Sequence, residues 1–212
     1  MKIGIFANGN YGKENFYLEE LQNIDYIIGV DGGNNFLKKI GVLPNLCIGD
    51  FDSISPEVMK WLEGRKIIKF SKDKDKSDTY LALQKAEMFK AEEIYLFGGL
   101  GKRTDHTFSN ILLLSKFDFT FKEENMEIFS VKGSNMITMN CKIGETWSLL
   151  PLEKIEGLNV EGFKYPIKNG VMEIQNPYGL SNVTIKSIVK IKIKRGILLI
   201  FRNLKIIEEE EQ

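Results

Sequence analysis

Short apolar runs alternate with helical patterns in the first half of the chain, and this alternation constrains the fold more than any other feature. The runs are brief and rich in Ile, Val, Phe or Tyr, and most are followed by Gly, Asp or Asn, as buried strands are. They comprise Ile3–Ala7, Tyr26–Val30, Leu46–Gly49, Lys66–Phe70 and Ile94–Phe97. The helical patterns lie near residues 14–23, 33–40, 55–63, 78–90 and 105–115. We therefore expect an α/β domain over residues 1–122, with a mostly parallel sheet and helices on both faces.

After about residue 122 the pattern changes to strands alone, several of them with two-residue periodicity. The strand candidates are Glu127–Val131, Met136–Cys141, Trp147–Pro151, Leu158–Glu161, Val171–Ile174, Val183–Ile193 and Ile197–Phe201. Turn sequences separate some of them, namely Gly133-Ser134, Lys168-Asn169-Gly170 and Lys194-Arg195-Gly196. We expect a second, all-β domain of antiparallel strands over residues 123–212.

Composition excludes several classes of protein. Lys and Arg number 29 and Asp and Glu 29, so no net positive field favours nucleic acid or an anionic membrane. Cys47 and Cys141 are too few for a disulfide framework and do not form a metal-ligand spacing, which fits a reducing compartment. The sequence contains neither an apolar run long enough to span a bilayer nor the apolar stretch of a signal peptide. We expect a soluble, cytoplasmic protein.

Acidic residues follow four of the predicted strands. They are Asp31, then Asp50 and Asp52, then Asp73, Asp75 and Asp78, and finally Asp105, which comes shortly after Arg103. Ligands of open parallel sheets bind beyond the carboxyl ends of the strands, so we expect these side chains to face one crevice. We also expect Ser77 to cap the helix in whose first turn Asp78 lies.

Clustered carboxylates repel one another, and burying them unpaired is costly. A hard divalent cation relieves both penalties, and Mg²⁺ in proteins typically takes a few carboxylates together with substrate phosphates. Neighbouring glycines let phosphate oxygens approach backbone N–H groups, and Arg103, Lys72 and Lys74 can neutralise phosphate charge. The pattern indicates Mg²⁺–nucleotide chemistry.

Each of these features also has a simpler interpretation. A lone Asp after a strand is usually a turn former or a helix cap, and Lys72–Asp78 taken alone is typical of a solvated loop. Gly9 and Gly32-Gly33 suit tight turns as well as they suit phosphate cradles. The sequence has no Walker A motif, and His106 is its only histidine, which excludes a histidine-based metal site.

Six segments resemble, in order and in approximate spacing, the signatures of the thiamine pyrophosphokinase family. They are Asp31–Asn34, Pro44–Ser53, Asp73–Thr79, Gly98–His106, Gly162–Pro166 and Gly179–Asn182. The second contains Gly49-Asp50-Phe51-Asp52-Ser53, which alone is moderately specific, and the ordered set covers nearly the whole chain. In the third, Ser77 stands where Thr is commoner, which keeps the hydroxyl.

The resemblance implies an N-terminal α/β domain, a C-terminal β-sandwich that binds thiamine, and a homodimer with active sites between subunits. It makes Asp50, Asp52 and Asp78 the acids that hold Mg²⁺, with Asp31 close by. Arg103 and Asp105 take nucleotide-side or catalytic positions, and Ser181 and Asn182 border thiamine. The nucleotide and cofactor positions also include Gly32, Lys72, Lys74, Ser77, Thr79 and Gly99.

The reaction that the resemblance implies is attack of the thiamine hydroxyl on the β-phosphorus of ATP, with release of AMP. Three alternatives stay open at the level of sequence. One is a pyrophosphokinase acting on a hydroxymethyl-pterin, and another is a nucleotide-sensing module without turnover. The third is a Mg²⁺-dependent phosphohydrolase of the haloacid dehalogenase type, because Asp50-Phe51-Asp52 follows a strand. That family usually continues with Gly-Thr, whereas Ser53-Ile54 stands here.

Overall fold

The computed structural model describes residues 1–71 and 75–206 of the 212-residue chain. The chain divides into two compact units, Met1–Glu124 and Asn125–Gln212. Lys72, Asp73 and Lys74, which the sequence marks as candidate ligand-binding residues, lie outside the described residues. In the part of the chain that is described, no helix is long and apolar enough to cross a membrane.

The first unit alternates strands and helices. In order these are β1 (Lys2–Phe6), α1 (Glu14–Leu21), β2 (Tyr26–Val30), α2 (Gly33–Lys39), β3 (Leu46–Gly49), α3 (Pro56–Trp61), β4 (Lys66–Lys69), α4 (Asp78–Met88), β5 (Glu93–Phe97), α5 (Thr104–Leu112) and β6 (Thr120–Glu123). The strands lie in the order β6-β5-β1-β2-β3-β4, and the paired neighbours run parallel. The prediction of an α/β unit with a parallel sheet is confirmed.

The sheet of the first unit is central and apolar, as its sequence requires. Ile3, Ile5 and Phe6 of β1 are fully buried, as expected for a strand that has neighbours on both sides and covered faces.

Local signals set the helix starts. Ser77 accepts a hydrogen bond from the backbone N–H of Tyr80 at 3.2 Å, which confirms it as the cap of α4.

The second unit consists of strands. They are β7 (Met126–Lys132), β8 (Asn135–Asn140), β9 (Glu145–Pro151), β10 (Ile155–Glu161), β11 (Ile167–Met172), β12 (Gly179–Val183), β13 (Ile188–Ile193) and β14 (Ile197–Ile206). Antiparallel pairing joins β12-β9-β14-β7 in one sheet and β11-β10-β13-β8 in another. Apolar residues of both sheets, such as Trp147 and Leu198 with Val160 and Ile191, form one core. The second unit is therefore all-β with a core between two sheets, as expected.

One turn prediction in the second unit is wrong. Lys168-Asn169-Gly170 lies inside β11 instead of between strands. Asn169 has φ 47, and the pairing of β10 with β11 shifts register around Leu158, opposite Gly170. The backbone N–H of Asn169 donates to Asn159 Oδ1 at 3.0 Å. The Asn-Gly pair therefore forms an irregularity within a strand. The left-handed conformation of Asn169 suits such an irregularity as well as it suits a hairpin turn.

A buried ion-pair network ties strands β7, β9 and β14 of the second unit together. The Glu145 carboxylate accepts from Arg202 Nε at 2.8 Å, from Arg202 Nη2 at 3.0 Å and from the Trp147 indole N–H at 3.0 Å. Arg202 also donates to Glu127 at 3.1 Å and packs over the Trp147 ring. The Glu145 side chain is only 2% exposed, so these partners replace the water that it loses on folding.

Candidate active site

A cleft of about 490 Å³ opens at the carboxyl ends of the parallel strands in the first unit. Its lining comes from the residues that follow β1, β2, β3 and β5, from the start of α4, and from His106 and Asn110 of α5. We call the part after β2 and β3, together with the start of α4, the acidic side. The part after β1 and β5 is the glycine side. The carboxyl-end location agrees with the general position of ligands in open parallel sheets.

Asp31 is central to the acidic side. It has φ 42, and its Oδ1 accepts a hydrogen bond from the backbone N–H of Phe51 at 3.1 Å. A Cβ at Gly49 would lie 1.8 Å from the same oxygen, so a glycine at 49 is needed for Asp31 to pack here. The pKa of Asp31 is raised to about 7, chiefly by burial and in smaller part by the nearby carboxylates of Asp78 and Asp50, whereas the hydrogen bond from the Phe51 N–H lowers it.

Asp50, Asp52 and Asp78 complete the acidic side. Asp50 and Asp52 follow β3 and are linked by a 3.0 Å hydrogen bond from the Asp52 N–H to Asp50 Oδ1. Asp78 begins α4 and lies within hydrogen-bonding reach of Asp31. Of the acids that the sequence predicts to share one crevice, the structure therefore brings together Asp31, Asp50, Asp52 and Asp78, whereas Asp75 is not among the described lining residues. Ser77 and Thr79, on either side of Asp78, also line the cleft.

The acidic side fits a divalent cation that is bound partly by its substrate. Among the described residues, no group of three or more Asp, Glu, His or Cys side chains is arranged so that it could hold a metal ion. The carboxylates of Asp78 and Asp50, which raise the pKa of Asp31, nevertheless place excess negative charge on the acidic side. Hard oxygen donors in this arrangement suit Mg²⁺, which usually keeps several waters or phosphate oxygens among its ligands.

The glycine side is held by backbone hydrogen bonds between two loops. The N–H of Gly9 donates to the carbonyl of Gly98 at 2.7 Å, and the N–H of Asn10 donates to the carbonyl of Leu100 at 2.7 Å. A Cβ at Gly9 would lie 2.3 Å from the Gly98 oxygen, so the two backbones approach too closely for any side chain. The buried amide of Asn110 donates to the carbonyl of Gly99 at 2.9 Å. The shape of this side is thus set from both loops and from α5.

Arg103 and Asp105 form a two-pronged pair beside the cleft. Arg103 Nη2 donates to Asp105 Oδ2 at 2.6 Å, and Arg103 Nε donates to Oδ1 at 3.2 Å. The Arg103 hydrogen bond lowers the pKa of Asp105 to about 2. Arg103 lines the cleft, whereas Asp105 is not among the described lining residues. The two hydrogen bonds hold the Arg103 guanidinium against the Asp105 carboxylate.

Gly32 is also outside the described lining, although Asp31 before it is part of the cleft. A Cβ at Gly32 would lie 2.2 Å from Asn8 Oδ1, so Gly32 makes room for the Asn8 side chain. Asn8 and Asn110 are cleft residues that sequence reasoning missed. The available signal for Asn8 was its position after β1, where a small polar residue follows an apolar run.

A buried carboxylate supports the glycine side from behind. Glu123, at the end of β6, accepts a hydrogen bond from the Tyr17 hydroxyl at 2.9 Å, and that hydroxyl accepts one from the N–H of Gly12 at 2.9 Å. The other carboxylate oxygen of Glu123, Oε1, is buried and has no hydrogen-bond partner within the described ranges. Burial raises the pKa of Glu123 to about 7, although the Tyr17 hydroxyl and the N–H groups of Gly98 and Gly99 lower it.

We expect Glu123→Gln to remove part of the pH dependence of stability. The folded-state pKa of about 7 lies above the ordinary 4.5, so between these values the unfolded chain loses its proton while the folded chain keeps it. Stability then falls as the pH rises through this window, by about 3 kcal/mol in all. Urea unfolding gives the free energy of unfolding of both proteins at pH 4.5 and 7.5. Between these two pH values, the stability of the variant relative to the wild type should rise by up to that amount. Parallel pH curves for both proteins would contradict the assignment.

Ser181 and Asn182, the predicted thiamine-side residues, belong to β12 of the second unit. Ser181 is exposed and has φ 53. Asn182 is buried, and its amide is engaged by the main chain of Tyr165: Oδ1 accepts from the Tyr165 N–H at 3.0 Å and Nδ2 donates to the Tyr165 carbonyl at 2.7 Å. Asn182 therefore fixes the segment around Tyr165, whose own side chain is exposed.

The two units define an α/β protein with an acidic, glycine-walled cleft and an all-β unit that follows it. Residues 17–130 match the family model "Thiamin pyrophosphokinase, catalytic domain", and residues 134–198 match "Thiamin pyrophosphokinase, vitamin B1 binding domain". The chain is 32% identical over 188 residues to a thiamine pyrophosphokinase of Bacillus subtilis, with 83% of this chain and 86% of the relative covered. The chain belongs to the thiamin pyrophosphokinase family.

Solved structures agree with this membership. A thiamine pyrophosphokinase structure from Bacillus subtilis superposes with a TM-score of 0.84 at 27% identity, covering 96% of this chain and 99% of that one. A thiamin pyrophosphokinase structure from Geobacillus thermodenitrificans gives a TM-score of 0.84 at 27% identity, covering 96% and 97%. The similarity extends through both units.

Proposed function

We propose that this chain transfers the pyrophosphoryl group of ATP to the hydroxyl of thiamine, giving thiamine diphosphate and AMP. The two family matches, catalytic and vitamin B1 binding, follow one another along the chain and together support this activity. The observation that carries the chemistry is the gathering of Asp31, Asp50 and Asp78 beside a wall of glycine backbone. The composition supports the cytoplasm as the place where the enzyme works.

Asp50, Asp52 and Asp78 are the residues proposed to hold Mg²⁺, with Asp31 beside them. A bound Mg²⁺ supplies charge neutralisation and orientation of the triphosphate. The carboxylates themselves repel one another, and this repulsion is relieved when a cation and its phosphate ligands enter the cleft. The contact of Asp31 with the Phe51 N–H keeps the loop after β3 turned toward the cleft, which positions Asp50 and Asp52.

The glycine side is proposed to bind the phosphates. Arg103 lines the cleft on this side and presents a planar guanidinium that Asp105 holds in place. Transfer between phosphates depends chiefly on such positioning and on charge neutralisation. The further nucleotide-side residues of this proposal are Gly32, Lys72, Lys74, Ser77 and Thr79.

Thiamine is a cation, so the surplus negative charge of the acidic side favours its binding. Ser181 and Asn182 are proposed to border it, with Asn182 acting through the Tyr165 segment that it holds. In a homodimer with active sites between subunits, these residues of one subunit would serve the cleft of the other. The family resemblance supports this assembly.

ATP labelled at the β-phosphorus tests the proposal. We expect thiamine to receive the β label together with the γ-phosphorus, with one AMP released per thiamine diphosphate formed, as measured by mass analysis of products. The acceptor control is hydroxymethyl-pterin, which should receive no label. Transfer of the γ-phosphoryl group alone, which would leave the β label in accumulating ADP and none on thiamine, would make the protein an ordinary kinase and would overturn the proposal.

A further inference from the structure

Lys102 has a left-handed backbone conformation, which elsewhere in the same loop is adopted by glycine residues. Its φ is 47, and Gly98 and Gly101 of that loop have φ 61 and 88. A non-glycine residue in the left-handed region carries conformational strain unless the surroundings compensate for it. A role of the lysine side chain is therefore needed to explain why lysine stands at this strained position.

The side chain of Lys102 lies in the cleft. Lys102 is part of the lining, and its Nζ donates to Asn8 Oδ1 at 2.8 Å, which joins the loop after β5 to the loop after β1. Asn8 is itself held closely, since a Cβ at Gly32 would lie 2.2 Å from the same oxygen. The ammonium thus has a defined position on the glycine side.

The partner of Lys102 in this contact is a neutral amide oxygen. An ammonium group has three N–H donors, so a single bond to Asn8 leaves both the charge and donor capacity for a ligand. Lys102 is exposed to the solvent that a ligand would displace. Arg103, next to it in sequence, lines the same cleft, so two cations lie on the glycine side.

We propose that Lys102 is a phosphate-binding residue, aimed by Asn8, that donates to the polyphosphate chain of the nucleotide in the cleft. The inference rests on the proposed function, because ATP supplies the phosphates. A compact ammonium charge interacts strongly with phosphate oxygens, and the strained loop conformation is retained because it brings the amine to this position.

Substitution by glycine separates this role from a structural one. Lys90 is the matched control, because it is also an exposed lysine with φ 55 but lies after α4, outside the described cleft lining. Lys102→Gly and Lys90→Gly should both raise the midpoint of thermal unfolding, since glycine relieves the same strain. Only Lys102→Gly should weaken ATP binding, by about tenfold, corresponding to the loss of one charged contact.

The experiment is titration calorimetry of ATP, ADP and AMP with Mg²⁺ and each protein. Lys102→Gln, whose amide can still donate to Asn8, should lose nearly as much ATP affinity as Lys102→Gly, whereas Lys102→Arg should retain most of it. The loss should be smallest for AMP, which lacks the polyphosphate. A wild type that binds ATP and forms thiamine diphosphate, alongside a Lys102→Gly variant within twofold of its ATP affinity, would overturn the inference. A wild type that binds no ATP would overturn the proposed function instead.

Discussion

Replacing Asp78 with Asn is expected to lower kcat by at least about 100-fold while the protein stays folded. The substitution removes one negative charge from the acidic side and opens no cavity, because the two side chains have the same shape. It also removes a carboxylate that raises the pKa of Asp31, so thermal stability should stay the same or rise. Steady-state formation of thiamine diphosphate and a thermal unfolding scan measure the two effects. Asp50→Asn should behave in the same way.

Glu57→Gln is the matched control for this loss of activity. Glu57 lies in the first turn of α3, as Asp78 lies in the first turn of α4, but it pairs with Lys38 and is not among the described lining residues. Its substitution should leave kcat unchanged. Near-normal turnover of Asp78→Asn at ordinary Mg²⁺ concentration would count decisively against the metal assignment.

The Asp78→Asn chain also tests the assembly. Mixed with an inactive Ser181→Arg chain, it should recover part of the wild-type activity, because some heterodimers then carry one cleft with an intact acidic side and an intact Ser181. Ser181 is exposed, so the change places a cation at the proposed border of the thiamine site without cutting into the core. Sedimentation of the wild type as a monomer, or absence of recovery after proven subunit exchange, would refute the shared site.

Arg202→Met is expected to destabilise the second unit by about 3–5 kcal/mol. The loss is large because Glu145 keeps its charge while losing two hydrogen bonds from the guanidinium, in a place where its side chain is only 2% exposed. Urea unfolding followed by the fluorescence of Trp147, which contacts both members of the pair, measures the change.

Two comparisons make the Arg202 prediction specific. Lys154→Met breaks an exposed contact to Glu156 of 3.9 Å and should cost less than about 1 kcal/mol. The double variant Arg202→Met with Glu145→Leu should recover part of the lost stability, because the buried charge of Glu145 is then removed with its partner while Glu127 still loses the guanidinium. An Arg202→Met variant as stable as wild type would show that water replaces the guanidinium at Glu145.

Sequence patterns predicted the α/β unit and the acidic side because both depend on short-range order. Asp31, Asp50 and Asp78 each lie at the end of a strand or the start of a helix, and parallel strands bring such ends together without further information. The contacts that shape the glycine side were harder to predict from the sequence. Asn110 contacts Gly99 from within α5, and Glu123 supports the loop from β6, so their contributions arise from packing between segments distant in sequence.

The second unit shows how packing overrides local preference. Asn169-Gly170 has the composition of a hairpin turn, yet the strand continues through it, because the Asn159 side chain binds its backbone and β10 pairs on both sides of the irregularity. Asn182 gives a second case. Its amide is engaged by the Tyr165 main chain, a contact that no local pattern reveals, and its place beside thiamine stays a prediction.

Two independent features require a glycine at position 49. A methyl group there would lie 1.8 Å from Asp31 Oδ1, so any larger residue must displace the acid. The φ of Gly49 is 150, so an L side chain would be strained there even if position 31 were small. The glycine that opens Gly49-Asp50-Phe51-Asp52-Ser53 therefore serves both its own loop and the carboxylate that follows β2, and exchanging Asp31 for a smaller residue would not free position 49 for another side chain.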